Sequence, residues 1–391
     1  MLNTSFAPWP SFTDEEANAV RDVLLSNRVN YWTGQECRQF EQEFAAWAGT
    51  AHAIALANGT VALDLALNAL GIGKGDEVIV TPRTFLASVS SIVNAGAIPV
   101  FAEVDRDTQN ITAETIRAVL TPRTRAVICV HLAGWPCDMD PIMALAAQHG
   151  LKVIEDCAQA HGASYKGRSV GSIGHIGAWS FCQDKIMTTG GEGGMVTTND
   201  RELWAKMWAF KDHGKSWEAV YQREHAPGFR WLHESFGTNW RMMEMQGVIG
   251  RIQLRRMPDW NKARTANVSA IWECAKGLKG LRVPVPEQGI VHAAYKCYVF
   301  VEPGALRSEW SRDRILGEIT ERGVPCFSGS CSEVYLEKAF DGTNWRPEPH
   351  LSIARELGET SLMFLVHPTL SAAEIEKTCQ ALKDVMALAA A

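Results

Sequence analysis

Three short stretches of this chain combine residue types that do chemistry. Asn58-Gly59-Thr60 stands between an apolar run, Ala53 to Ala57, and the start of a helical pattern. Free backbone amides and the helix dipole at such a junction attract an anion. The glycine allows close approach to the backbone, and the threonine adds a hydroxyl donor. The plain alternative is an ordinary helix cap, the commoner use of this pattern. Glu155-Asp156 closes the apolar pair Val153-Ile154. A carboxylate ending a parallel strand faces the crevice where open α/β sheets bind ligands; its alternative is a solvated turn acid. Lys185 follows Trp179-Ser180-Phe181, read as a strand with a hydroxyl at its centre. A lysine in an apolar pocket can form a Schiff base, whereas an isolated lysine is ordinarily a surface residue.

Each signal is weak alone, and the conjunction carries the argument. Pyridoxal 5'-phosphate (PLP) needs N–H and hydroxyl donors for its phosphate and an amine for its aldehyde. It also needs a carboxylate to keep its pyridine nitrogen protonated, because an adjacent anion raises that pKa. The ring needs a flat neighbour, and Phe85 lies just past the apolar stretch Glu77 to Thr81. For Phe85 the alternative is a core aromatic on a helix.

The elements that position these residues alternate. Thr13 and Glu16 have capping-box spacing ahead of a first helix, and a second helix is expected over 36–47. Strands are expected over 53–57, 77–81, 98–102, 126–132 and 152–157, with helices over 61–70, 84–95 and 141–149 between them. Such alternation, with strands apolar on both faces, predicts a mostly parallel sheet. The closely spaced Gly167, Gly171, Gly174 and Gly177, with strands over 178–181 and 195–198, predict antiparallel pieces at the sheet edge. A helix over 201–210 follows. Residues 212–238 lack clear periodicity but hold Trp217, Tyr221, Phe229, Trp231 and Phe236, which argue against disorder. The pattern over 242–257 predicts a helix ended by Pro258. Beyond it a smaller α+β unit is expected, with a helix from about Asn261, a strand over 295–301 and helices over 311–321 and 372–388. The division is placed at 1–260 for the large domain and 261–391 for the small one.

Composition bounds the function class. At 391 residues the chain is long enough for two or three domains, and 21% charged residues is ordinary for a globular protein. A formal charge of −6 with no basic tract argues against nucleic acid as a partner. No apolar run approaches the roughly 18 residues of a membrane helix, and Met1 to Pro10 has no secretion pattern. The 10 cysteines are scattered without a C-x-x-C pair, which speaks against a zinc site. The expectation is a soluble cytoplasmic protein that binds no metal and no membrane.

The chain resembles the DegT/DnrJ/EryC1/StrS family of sugar aminotransferases, in the fold-type-I PLP superfamily. The matching segments are Asn58-Gly-Thr-Val-Ala-Leu63, Glu155-Asp-Cys-Ala-Gln-Ala-His-Gly162, Ser180-Phe-Cys-Gln-Asp-Lys185, Thr188-Thr-Gly-Gly-Glu-Gly-Gly194 and Gly237-Thr-Asn-Trp-Arg-Met242. The resemblance implies an α/β fold whose seven-stranded, mostly parallel sheet is flanked by helices, as in aspartate aminotransferase. It implies that Lys185 carries the cofactor as a Schiff base and that Asp156 pairs with the pyridine nitrogen. Gln159 would bond the ring O3′, Phe85 would stack on the ring, and Gly59, Thr60 and Ser180 would bind the phosphate. Asn239 would reach the phosphate held by a neighbouring subunit, which makes the expected assembly a homodimer with shared sites. The implied reaction moves an amino group from L-glutamate to a nucleotide-linked ketosugar. Glu192 tilts the expectation towards a 4-keto-6-deoxy sugar, while Gly190-Gly191 looks like a one-residue insertion beside it. Amination at C3, or of a non-nucleotide ketosugar or cyclitol, is the alternative. A non-catalytic regulatory protein is a distant one.

Overall fold

The computed structural model describes residues 6–391. Residues 1–5, half of the N-terminal stretch read for a secretion pattern, lie outside the described residues. The chain begins with helices α1 (Asp14–Leu25) and α2 (Glu36–Ala48). Strand and helix then alternate through β1 (His52–Leu56), α3 (Gly59–Ala69), β2 (Glu77–Val80), α4 (Ala87–Asn94), β3 (Ile98–Phe101), α5 (Ala113–Arg117), β4 (Thr124–Val130), α6 (Met139–His149) and β5 (Lys152–Asp156). The glycine-rich stretch forms the hairpin β6 (Ser164–Tyr165) and β7 (Arg168–Ser169), then β8 (Ile176–Ser180) and β9 (Gly194–Thr198). Helices α7 (Arg201–Phe210), α8 (Trp217–Tyr221) and α9 (Glu244–Lys276) follow.

The large sheet has seven strands in the order β1-β9-β8-β5-β4-β2-β3. Pairings from β3 through β8 are parallel, and β9 pairs antiparallel with β8 and β1. The expected antiparallel edge is therefore present. Alternation along a strand sorts side chains to two faces. On β4, Ala126, Ile128 and Val130 join one apolar cluster with α3, α4 and α7, while Val127 and Cys129 join another with α5 and α6.

The C-terminal part adds β10 (Leu281–Arg282), β11 (Ile290–Val291), β12 (Cys297–Val301), α10 (Arg312–Glu321), β13 (Cys326–Phe327), α11 (Ser352–Thr360), β14 (Ser361–Phe364) and α12 (Ala372–Ala389). Its own sheet runs β10-β12-β14-β13, with a separate apolar cluster beneath.

One expectation fails clearly. Pro258 does not end a helix at Met257; α9 continues through it to Lys276, so residues 260–261 lie inside one helix. Proline lacks an N–H and crowds the preceding turn, but apolar packing holds both sides of it. Leu254 and Met257 seal one cluster before the proline, and Val268, Ile271 and Trp272 seal another after it. Among the described residues no helix is long and apolar enough to cross a membrane.

Candidate active site

Asp156 is the last residue of β5. Alternation points it to the side of Ile154, into the cluster shared with α3 and α4. Its carboxylate is buried, accepting from Ser88 Oγ at 2.8 Å and from Ala158 N at 3.1 Å. Burial pushes its carboxyl above the ordinary range, against the pull of those donors and of the Lys185 charge. Asp156 is thus no solvated turn acid. It is a buried acid short of a full counter-charge.

Glu155 faces the opposite way. It is buried with His131, whose Nε2 is 3.0 Å from its Oε2. Cys157 completes a trio close enough to hold a metal ion. However, Glu155 Oε1 already accepts from Ile173 N and Gly174 N, and His131 Nδ1 accepts from Cys137 N. These bonds tie together the loops under the sheet.

The cap reading of Asn58-Gly59-Thr60 holds, and it leaves room for the anion reading. Asn58 caps α3, its Oδ1 accepting from Val61 N at 3.0 Å. The Gly59 and Thr60 amides ahead of that bond are the donors a helix start leaves free. Gly59 packs tightly on Ser180: a Cβ there would lie 2.5 Å from Ser180 Cβ and 2.9 Å from its Oγ. Ser180 itself ends β8; it is not mid-strand as expected. Its Oγ accepts from Cys182 N at 3.3 Å, which leaves the hydroxyl hydrogen to donate.

Lys185 lies in the loop after β8, where its carbonyl accepts from Trp9 Nε1 at 2.8 Å. Its ammonium is 5.2 Å from the centre of the Tyr295 ring, and the Tyr295 hydroxyl donates to Asp184. Burial alone would raise Asp184. The charge of Lys185, the Tyr295 hydroxyl and Lys296 together hold it below the ordinary carboxylate range. Gln159 is oriented by its Oε1, which accepts from Ala133 N at 2.8 Å. Its NH2 is left to donate. Phe85 is no core aromatic on a helix: α4 starts only at Ala87, and Phe85 is 72% exposed.

Gly59, Thr60, Phe85, Asp156, Gln159, Ser180 and Lys185 all line one cavity of about 790 Å³. That is room for a cofactor and a small substrate together. The donors around Gly59, the buried acid and the amine suit a phosphate, a cationic ring nitrogen and an aldehyde, so the residues fit PLP. Asn239 stands apart from the lining; it is exposed, and its backbone bridges to Asp212. Sequence reading passed over Ser88, Asp184, Tyr295 and Lys296, of which all but the hydrogen-bonded Ser88 come from the loop beside Lys185 or from beyond α9.

Residues 10–383 match the DegT/DnrJ/EryC1/StrS aminotransferase family. The chain belongs to that family. An aminotransferase from Psychrobacter cryohalolentis, solved by X-ray, is 69% identical with a TM-score of 0.96, covering 98% of this chain and 99% of that one. GDP-perosamine synthase of Caulobacter vibrioides is 37% identical, over 94% of this chain and 95% of its own length. UDP-N-acetyl-3-dehydro-alpha-D-glucosamine 3-aminotransferase of Acidithiobacillus ferrooxidans is 35% identical, over 98% and 96%. This protein is therefore an enzyme of the aminotransferase class, and members of the family depend on PLP.

Proposed function

We propose that this chain binds PLP in the 790 Å³ cavity and moves an amino group from L-glutamate to a nucleotide-linked ketosugar. One observation carries the reading: a lysine amine, a buried acid in need of a counter-charge and the open donors of a helix start converge on that space. The relatives named for GDP- and UDP-linked sugars support the substrate class. Glu192 lines the cavity and favours a 4-keto-6-deoxy sugar in this reading. The 3-aminotransferase relative keeps amination at C3 as the second reading.

Bound here, PLP supplies the carbonyl that takes up the amino group and the ring that spreads negative charge left on the substrate carbon. Lys185 Nζ would hold the cofactor between turnovers and, once free, would take the proton from the donor carbon in the first half-reaction and deliver a proton to the acceptor carbon in the second. Asp156 keeps a proton on the ring nitrogen. Gly59, Thr60 and Ser180 hold the phosphate, Gln159 NH2 bonds the ring oxygen, and Phe85 covers the ring. The division into a large and a small domain belongs to this reading, with the cavity between their sheets. So does a homodimer. The exposed Phe229, Trp231 and Phe236 offer an apolar surface, and Asn239, outside its own cavity, is free to serve a partner's.

Adding PLP to the purified protein is expected to give a visible absorbance band, which L-glutamate then bleaches. Lys185→Ala should fold and give no band. If wild type forms the band and glutamate leaves it unchanged, the donor assignment is wrong. If no band forms, the reading as a whole fails.

A further inference from the structure

The cavity holds a second amine to which the proposed mechanism gives no role. Lys296 lines it, on the stretch just before β12. Among the described residues its ammonium makes no hydrogen bond and no ion pair; it stands over the Tyr295 ring, 4.8 Å from the centre. Lys185 lies 5.2 Å from the centre of the same ring. The surroundings are short of negative charge. Among the described residues Asp184 is the acid acting on Lys296, against the cations Lys185 and Arg264. Arg264 is buried and leaves Nε and Nη2 without partners, and Asp184 is already engaged by the Tyr295 hydroxyl. Burial, with those two like charges, pushes the Lys296 ammonium down to about 8.

A part-buried cation without an acid partner is costly unless a ligand supplies the anion. We propose that Lys296 binds the α-carboxylate of the amino donor, which rests on the aminotransferase reading above. The choice of anion follows from reach. The donor carbon that gives up its proton to Lys185 carries its carboxylate one bond away. A ketosugar reacts at an uncharged carbonyl, and its phosphates leave from the anomeric carbon, several bonds off. Lys296 and Lys185 stand against the same ring, and the anion nearest the carbon that Lys185 deprotonates is the donor's. Lys296 thereby distinguishes an α-amino acid from the aminosugar that occupies the same space in the second half-reaction.

The test compares wild type, Lys296→Met and Lys296→Arg as PLP-loaded proteins, with matching circular dichroism as the control for folding. Glutarate, a dicarboxylate with no amino group, is the binding probe in calorimetry, and UDP and GDP are the phosphate probes. Charge-assisted hydrogen bonds are worth enough that Lys296→Met should weaken glutarate at least about tenfold. It should raise the half-saturating L-glutamate of the single-turnover bleach by a similar factor. Lys296→Arg should recover most of both, and UDP and GDP should bind unchanged. Unchanged glutarate binding in Lys296→Met overturns the proposal, as does the absence of glutarate binding to wild type. Weakened UDP or GDP with unaltered glutarate also overturns it and assigns Lys296 to the acceptor's phosphates. If wild type binds glutarate through Lys296 yet glutamate does not bleach the band, the donor assignment fails while the carboxylate site stands.

Discussion

At the scale of single residues, Asp156 shows what an adjacent pair can do. Glu155 and Asp156 are neighbours in sequence, yet alternation sends one to a closed pair with His131 and the other to the cavity. Asp156→Asn keeps the size and the Ser88 contact but removes the charge. We expect kcat to fall at least about a hundredfold, as when a group stabilising developing charge is removed. Ser88→Ala, which only loosens the carboxylate, should cost about tenfold or less. The check is a comparison of half-reaction rates at saturating glutamate; equal losses would mean that Ser88 does more than orient Asp156. Asp156 was legible because a strand end is a local feature. Ser88 was not, since it reaches Asp156 from another element 68 positions away in sequence.

Among elements, α9 is the one whose role sequence misjudged. Its Glu244 accepts from the Glu36 and Cys37 amides at 2.5 and 3.4 Å, capping α2, whose own N-cap Gln35 makes no side-chain bond. One turn on, a Cβ at Gly247 would meet Cys37 N at 2.8 Å. Alanine there gains about 1 kcal/mol of helix propensity but presses on backbone that cannot step aside. Gly247→Ala is therefore expected to destabilise by up to about 2 kcal/mol net, read from the urea midpoint. A higher midpoint would show that α2 and α9 separate easily. The proline signal at 258 misled because local propensity was outweighed by two apolar clusters, contacts with no trace in a short window.

For the molecule as a whole, buried and half-buried histidines set an acid limit. Burial holds His161 down to about 3, helped by the Lys185 and Arg264 charges; burial takes His292 to about 3. His367 is held to about 4 by burial and by Arg264 and Lys296. With folded values below the ordinary 6.5, the unfolded chain binds more protons between about pH 6.5 and 3. The stability is thus full above about 6.5 and is lost as pH falls towards 3. Each histidine removes about 2 kcal/mol between pH 7 and pH 5. His161 lies between Trp179 and Phe181, ring centres 5.3 and 5.6 Å away, so His161→Phe should fold and lose about 2 kcal/mol less over that range. Identical pH profiles would show that His161 is protonated in the folded state. Composition, periodicity and the strand-end motifs by themselves determined the parallel sheet and the cavity's first wall, because those signals are local and repeat along the chain. The tertiary structure alone decided the opposite wall, where Tyr295 and Lys296 come to Lys185 from more than a hundred residues away. Residue order says nothing about such a meeting. The packing of the small sheet against the large one creates it, and a lone lysine beside an apolar strand looks the same in sequence whether it faces water or an active site.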